Sequence, residues 1–115
     1  MKMITVKIAR AFSYNNTGGN PAGIVIDADE LTHQQKQKIA YDMQLSEVAF
    51  ILRSEKADFK LEFFTPNRQI PYCGHATIAT FSYLKQNGFI KSDQSSNETP
   101  DGVKAIYFKE GKAHM

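Results

Sequence analysis

Hydrophobic and polar residues alternate in several short stretches of the chain, with the period of two that is expected of β-strands. Near the amino terminus Ile4, Val6 and Ile8 are separated by polar residues, which predicts a first strand. Other stretches with strand composition are Ala22–Ile26, Val48–Leu52, Phe59–Phe63 and Val103–Phe108, followed by a last strand beginning at Ala113. The short, charged connection Arg53–Asp58 predicts that the strands on either side of it form a hairpin.

Two stretches have the longer period of α-helices. Thr32, with Gln35 three residues later, fits a capping box and predicts a helix over about residues 33–43. A second helix is predicted over His75–Asn87, closed by Gly88 at the place of a left-handed cap. The apolar residues of this second helix spread over most of its circumference, so we expect it to be buried and wrapped by the sheet.

Three polar stretches predict loops. Ser13–Pro21 contains two glycines and three asparagines, which tolerate unusual backbone geometry. Thr65–Gly74 contains two prolines, and Lys91–Gly102 is polar throughout most of its length. Together with the strands and helices, these loops indicate one mixed domain of α and β structure.

Composition narrows the possible classes of protein. The 115 residues are 42% hydrophobic, which is enough for the core of one domain, and the net charge of +2 argues against a nucleic-acid partner. The amino terminus lacks the long apolar core of a signal peptide, and no stretch reaches the roughly 18 apolar residues of a membrane span. The only cysteine, Cys73, excludes an intrachain disulfide and a cysteine-rich zinc cluster. We therefore expect a cytoplasmic protein without a membrane partner.

Glu47 is the first candidate for chemistry. It lies at the start of an apolar strand, where a carboxylate partly removed from water is suited to acid–base work. From spacing alone, an exposed carboxylate at a strand edge is the more common situation.

The segment Cys73-Gly74-His75 is the second candidate. It lies at the amino end of a helix, where free N–H groups and the helix dipole favour a thiolate or a bound carboxylate. A buried structural cysteine and a capping histidine explain the same residues equally well. Metal binding is not expected, because the three histidines lack ligand-like spacing and one cysteine cannot complete a tetrahedral site.

The segment Gly18-Gly19-Asn20-Pro21 is the third candidate. Its glycines allow a ligand to approach the backbone closely, and Asn20 offers both a donor and an acceptor. It precedes a strand rather than a helix and lacks the GxGxxG spacing, so a nucleotide-binding loop is disfavoured. Taken by itself, a plain turn explains it best.

In combination, four motifs resemble the PhzF family, the phenazine-biosynthesis-like group of isomerases with the diaminopimelate epimerase fold. The motifs are Gly19-Asn20-Pro21-Ala22, Leu45-Ser46-Glu47-Val48-Ala49-Phe50, Phe64-Thr65-Pro66 and Cys73-Gly74-His75-Ala76-Thr77. The resemblance extends over nearly the whole chain. It implies an α+β fold in which a curved mixed β-sheet wraps around a central helix, and an active site in a cleft between two similar domains.

The resemblance also implies roles for individual residues. Glu47 corresponds to the catalytic acid/base, which moves a proton on a small, carboxylate-bearing substrate without any cofactor. Gly74 and His75 match the segment that holds substrate oxygens, and Asn20 lines the same pocket. Cys73 occupies the place of an acid/base thiol in epimerase and racemase relatives. We expect it to contact the substrate, and it is a secondary candidate for the base.

Family members are about twice as long as this chain, so residues 1–115 correspond to the amino-terminal domain alone. We expect a fragment, or a half-protein that forms a homodimer or needs a carboxy-terminal domain. Two other functions remain open at this point. One is a racemase or epimerase that depends on Cys73, and the other is a non-catalytic half-domain that binds a small ligand or a partner chain through its open sheet edge.

Overall fold

The computed structural model describes residues 5–11 and 20–115, with the backbone alone described for residues 9–11 and 20. The strands in these residues are β1 (Lys7–Ala11), β2 (Asn20–Val25), β3 (Glu47–Leu52), β4 (Phe59–Phe64), β5 (Gln69–Ile70), β6 (Gln94–Thr99), β7 (Gly102–Lys109) and β8 (Lys112–His114). The helices are α1 (His33–Met43) and α2 (Gly74–Gln86), with a 3₁₀ turn at Ala28–Glu30. None of the described helices is long and apolar enough to cross a membrane.

The described strands form one mixed sheet that curls around α2. Its order is β1-β2-β3-β4-β6-β7-β8, and β5 adds to β4. The pairs β2–β3 and β4–β6 are parallel, and the other pairs are antiparallel. Helix α2 contacts β1 and β2 near one end of this order and β7 and β8 at the other. This confirms the predicted fold, a curved mixed sheet around a central helix.

The central strand β3 is covered on both faces, which explains its unbroken apolar sequence. Side chains of a strand point alternately to opposite faces. Ala49 and Ile51 belong to the core that contains α2, whereas Val48 and Phe50 belong to a second core with residues of α1. The sheet therefore separates a central helix from an outer helix.

The ends of both helices follow from local sequence. In α1, the Thr32 hydroxyl accepts from the Gln35 backbone, and the Gln35 side chain accepts from the Thr32 backbone, so the predicted capping box is present. In α2, the N–H of Phe89 donates to the carbonyl of Leu84, and Gly88 adopts a φ of 81°. This is the left-handed end predicted at Gly88, and the helix begins one residue earlier than predicted.

Two predicted loops contain strands instead. The polar stretch 91–102 includes β6, and the stretch 65–74 includes the two-residue β5. Strand β6 forms because β4 and β7 pair with it on either side. Buried Ser95 lies in this strand and donates from its hydroxyl to Asp58. Tertiary pairing has overridden the low strand propensity of serine and asparagine.

The remaining strand predictions need small corrections of their bounds. The hairpin across residues 53–58 is confirmed, since β3 and β4 pair antiparallel. Strand β2 begins and ends slightly earlier than the predicted Ala22–Ile26, and β8 begins at Lys112 rather than Ala113. The first strand is Lys7–Ala11, and Ile4 lies outside the described residues.

Candidate active site

The amino ends of β3 and α2 meet on the inner face of the sheet, and four of the predicted site residues lie there. Glu47 is the first residue of β3, Cys73 immediately precedes α2, and Gly74 and His75 are in the first turn of α2. Glu47 shares its face of the strand with Ala49 and Ile51, which pack in the core around α2. The fold therefore directs the Glu47 carboxyl group towards the start of the central helix.

Glu47 is buried, with 5% of its surface exposed. Its Oε1 atom is in direct contact with Nε2 of His75. His75 is only half-buried and is the more exposed member of the pair, with 27% of its side chain accessible. The sequence left open whether Glu47 lies exposed at a strand edge, and the structure buries it beside the imidazole.

Cys73 lies against the same imidazole. Its Sγ atom is 3.5 Å from Nδ1 and 3.7 Å from Nε2 of His75. Burial raises the pKa of the Cys73 thiol, and the nearby Glu47 carboxylate raises it further, against the opposing effect of the backbone N–H groups of Ala76 and His75. At neutral pH the cysteine is therefore a neutral thiol rather than a thiolate.

The amino end of α2 is fixed by Thr77. Both the N–H and the hydroxyl of Thr77 donate to the carbonyl of Cys73, at 3.0 and 2.8 Å. The Cys73 side chain does not cap the helix. Free N–H groups at a helix start attract negative charge, so this end can receive a carboxylate or a developing oxyanion. Thr77 was part of a motif, but sequence reasoning gave it no role of its own.

Gly74 is the first residue of α2. A methyl group added there would lie 3.9 Å from the Tyr72 ring and from the terminal carbon of Met115, which is an ordinary contact distance. The space around Gly74 would therefore accommodate a methyl side chain. Tyr72 and Met115 are also joined by a 2.9 Å contact from the phenol hydroxyl to the thioether sulfur, so they form a wall beside the site.

Asn20 starts β2, and its backbone pairs with Ala11. Two residues further on, Ala22 lies beside Glu47 in the parallel pairing of β2 with β3. The Asn20 backbone is therefore about 7 Å along the strand from the level of Glu47. The Asn20 side chain and the preceding residues Gly18 and Gly19 lie outside the described part of the chain.

The loop after β4, which carries the Phe64-Thr65-Pro66 motif, is tied to the outer helix. The side-chain amide of Gln37 donates to the carbonyls of Thr65 and Pro66, at 2.9 and 3.2 Å. Within the loop, the Thr65 N–H donates to the Arg68 carbonyl. No local spacing reveals this role of Gln37, because it lies 28 residues before Thr65.

A separate cleft of about 240 Å³ between β4, β5 and the β6–β7 turn contains none of the predicted site residues.

Comparison with known proteins places this chain in a family. The sequence profile of the phenazine biosynthesis-like protein family (PhzC-PhzF) matches residues 9–114. The uncharacterized isomerase YfhB of Bacillus subtilis is 36% identical over 118 residues, which cover 100% of this chain and 40% of YfhB. The uncharacterized isomerase CA_C3446 of Clostridium acetobutylicum is 48% identical over 95 residues, covering 81% of this chain and 32% of that protein.

Solved structures agree with this result. The phenazine biosynthesis protein of the PhzF family from Bacillus anthracis superposes with a TM-score of 0.89 at 37% identity, over 98% of this chain and 39% of that chain. A hydroxyproline epimerase from Agrobacterium vitis shares the fold alone, with a TM-score of 0.68 at 12% identity. The chain thus spans about two fifths of the length of YfhB and of these solved structures. With its sequence matched over residues 9–114 and its fold shared, the chain belongs to the PhzF family of phenazine biosynthesis-like proteins.

Proposed function

We propose that this chain carries the acid–base residue of a cofactor-independent isomerase, in which Glu47 moves a proton on a small, carboxylate-bearing substrate. The observation that carries the proposal is the buried Glu47 carboxyl group in contact with His75 at the start of α2. A carboxyl group held out of water beside a second titratable group is the usual arrangement for proton transfer. The isomerase names of the relatives point to the same class of reaction.

The neighbouring groups have complementary roles in this proposal. Glu47 removes a proton from one carbon of the substrate and returns it to another carbon. His75 holds the carboxyl group in place and contacts a substrate oxygen. The backbone at Gly74 and the following residues stabilises the negative charge that develops when the proton leaves, and Asn20 lines the pocket.

A racemase that uses Cys73 as its base is a weaker candidate. The raised pKa of the Cys73 thiol leaves little thiolate at neutral pH. A two-base thiol mechanism also needs a second thiol, which a carboxy-terminal part or a second copy of the chain would have to supply. We expect Cys73 to contact the substrate or to pack beside it, in a reducing, cytoplasmic setting that leaves the thiol free.

The complete pocket is proposed to need more than the 115 residues. A second copy of the chain or a carboxy-terminal domain would cover the start of α2 and enclose the substrate. Light scattering of the 115-residue chain distinguishes the two, since a chain that is monomeric at high micromolar concentration does not complete its pocket by pairing. A non-catalytic binding domain is the remaining alternative.

The test is hydrogen exchange with solvent. The chain is joined to the remaining carboxy-terminal part of YfhB and incubated in D₂O with a panel of small unsaturated and α-acidic carboxylates, and deuterium uptake is measured by mass spectrometry. Glu47→Gln keeps the shape and an oxygen for His75, and should lower exchange by about 10²–10⁴-fold. His33→Gln, an exposed position in α1, is the matched control and should exchange like the parent.

Each outcome has a distinct meaning. Retained exchange in Glu47→Gln removes this residue from the mechanism. Loss of exchange in Cys73→Ser together with retention in Glu47→Gln supports the thiol-dependent racemase. Calorimetric binding of a carboxylate without exchange in any variant supports the non-catalytic domain.

A further inference from the structure

The residues at the start of α2 also form a cluster of three different metal-ligating groups. Glu47, Cys73 and His75 each offer one ligand atom, and these atoms lie within 4.8 Å of one another. Carboxylate oxygen, thiolate sulfur and imidazole nitrogen are the donors that Zn²⁺ takes in proteins. Proton transfer by Glu47 makes no use of the sulfur as a ligand, so the cluster has a capacity beyond the proposed reaction.

The separation of the sulfur and nitrogen atoms suits a tetrahedral ion. Zn–S and Zn–N bonds of about 2.3 and 2.0 Å at a tetrahedral angle set the two ligand atoms about 3.5 Å apart. The distance from Cys73 Sγ to His75 Nδ1 is 3.5 Å, and the distance to Nε2 is 3.7 Å. Either ring nitrogen therefore already lies at the separation that an ion between it and the sulfur requires.

The carboxylate is the ligand that has to move. Glu47 Oε1 touches His75 Nε2 directly, and an ion can lie between them only if this contact opens. Glu47 is nearly fully buried, whereas Cys73 and His75 are partly exposed. An ion therefore enters from the side of Cys73 and His75 and keeps a fourth position open to solvent, as in zinc sites with three protein ligands.

We propose that Glu47, Cys73 and His75 form a binding site for Zn²⁺, and that the bound ion inactivates Glu47 as an acid–base group. On binding, the S–H bond of Cys73 breaks, the sulfur keeps the electron pair and forms the Zn–S bond, and the proton passes to the buffer. The step needs no oxidant or reductant. Binding rests on the geometry of the three side chains alone, whereas the inactivation rests on the proposed function of Glu47.

Co²⁺ provides a direct test in the unaltered 115-residue chain. A thiolate bound to Co²⁺ gives a charge-transfer absorption in the near ultraviolet, and Cys73 is the only cysteine in the sequence. This absorption should appear with one equivalent of CoCl₂ and disappear when ZnCl₂ displaces the Co²⁺. Its absence in the correctly folded chain overturns the proposal, and no substitution is needed to reach that result.

Calorimetric titration of variants with ZnCl₂ tests each of the three ligands. His75→Gln and Cys73→Ser should each weaken Zn²⁺ binding by at least about tenfold, which is the smallest loss found even for residues that only support a ligand. Glu47→Gln should weaken it as well. His33→Gln tests whether an exposed histidine accounts for the heat and should bind like the parent. Equal affinity in all variants, or equal binding of MgCl₂ and ZnCl₂, contradicts a site built from these three residues.

Discussion

Replacing Lys36 by methionine should destabilise the fold strongly, because it leaves a carboxylate without its partner beneath the outer helix. Lys36 in α1 is 8% exposed and forms an ion pair with Glu62 in β4. Glu62 lies opposite Phe50, a residue of the core between α1 and the sheet. The two charged groups therefore meet at the edge of an apolar core. Each has lost part of its hydration there and is stabilised instead by its partner.

The magnitude follows from the burial of the two side chains. Removing one partner of a fully buried pair costs about 3–5 kcal/mol. The Glu62 side chain retains 24% of its exposure and can regain some water, so we expect about 2–3 kcal/mol for Lys36→Met. In a domain of this size that lowers the melting temperature by roughly 8–15 °C. The double variant Lys36→Met/Glu62→Leu should recover most of the loss, because no unpaired charge remains.

Urea unfolding followed by circular dichroism measures these differences as shifts of the midpoint at constant slope. The matched control is Lys38→Met in the same helix, since Lys38 and Asp42 form a pair with side-chain exposures of 77% and 56%. It should change stability by less than about 0.5 kcal/mol. The reasoning is refuted if Lys36→Met is as mild as this control, or if the effects of the two substitutions at Lys36 and Glu62 simply add.

Three further predictions concern the helix start, the sheet and the thiol. Thr32→Ala removes the capping box of α1 and should cost about 1 kcal/mol in the same urea assay, whereas an unchanged midpoint would mean that the cap contributes nothing. Gly23→Ala places a methyl group 3.1 Å from side-chain atoms of Val48 and Val6 and should lower the free energy of unfolding by about 1–3 kcal/mol. A variant as stable as the parent would show that these side chains move aside freely. The raised pKa of Cys73 stabilises the fold fully below the ordinary cysteine value of about 8.5, and this contribution is lost as pH rises through the folded value. Between pH 7 and about 10 the parent chain should therefore lose more stability than Cys73→Ser, and equal losses would contradict the shift.

Local sequence predicted the elements whose ends depend on neighbouring residues. The capping box at Thr32 and the left-handed residue at Gly88 act within one turn of their helices, so their signals lie close together in the sequence. The hairpin of β3 and β4 is likewise local. The apolar circumference of α2 also predicted its central position correctly, because a helix without a polar face has to be surrounded.

The features that sequence reasoning missed depend on contacts between distant residues. Strand β6 looks like a loop, since Ser95 and Asn97 are poor strand formers, yet both are buried where β6 joins β4 to β7. The buried charge of Lys36 could not be distinguished from an exposed one, because its partner is 26 residues away. In each case a tertiary partner supplies what the local sequence lacks.

The same distinction applies to the candidate site. Burial of Glu47 was one of two open alternatives, and its contact with His75 joins residues 28 positions apart. In the sequence, only the combination of four motifs, through the family resemblance, connects these segments. The spacing of histidines and cysteines does not predict this cluster of unlike ligand atoms, because the carboxylate that completes it belongs to another element.

Proton transfer and Zn²⁺ binding, the two proposals made for this site, exclude one another. In the proposed reaction Glu47 would act on a substrate proton through an oxygen lone pair, and a coordinated ion would occupy that lone pair. Zn²⁺ bound at the three side chains should therefore inhibit hydrogen exchange. Cys73→Ser separates the two effects. It removes a ligand of the ion but leaves Glu47 and His75 in contact, so the exchange that the variant retains should no longer be inhibited by Zn²⁺, when compared with its own rate without the ion. Exchange that stays equally sensitive to Zn²⁺ in Cys73→Ser would place the inhibitory ion elsewhere.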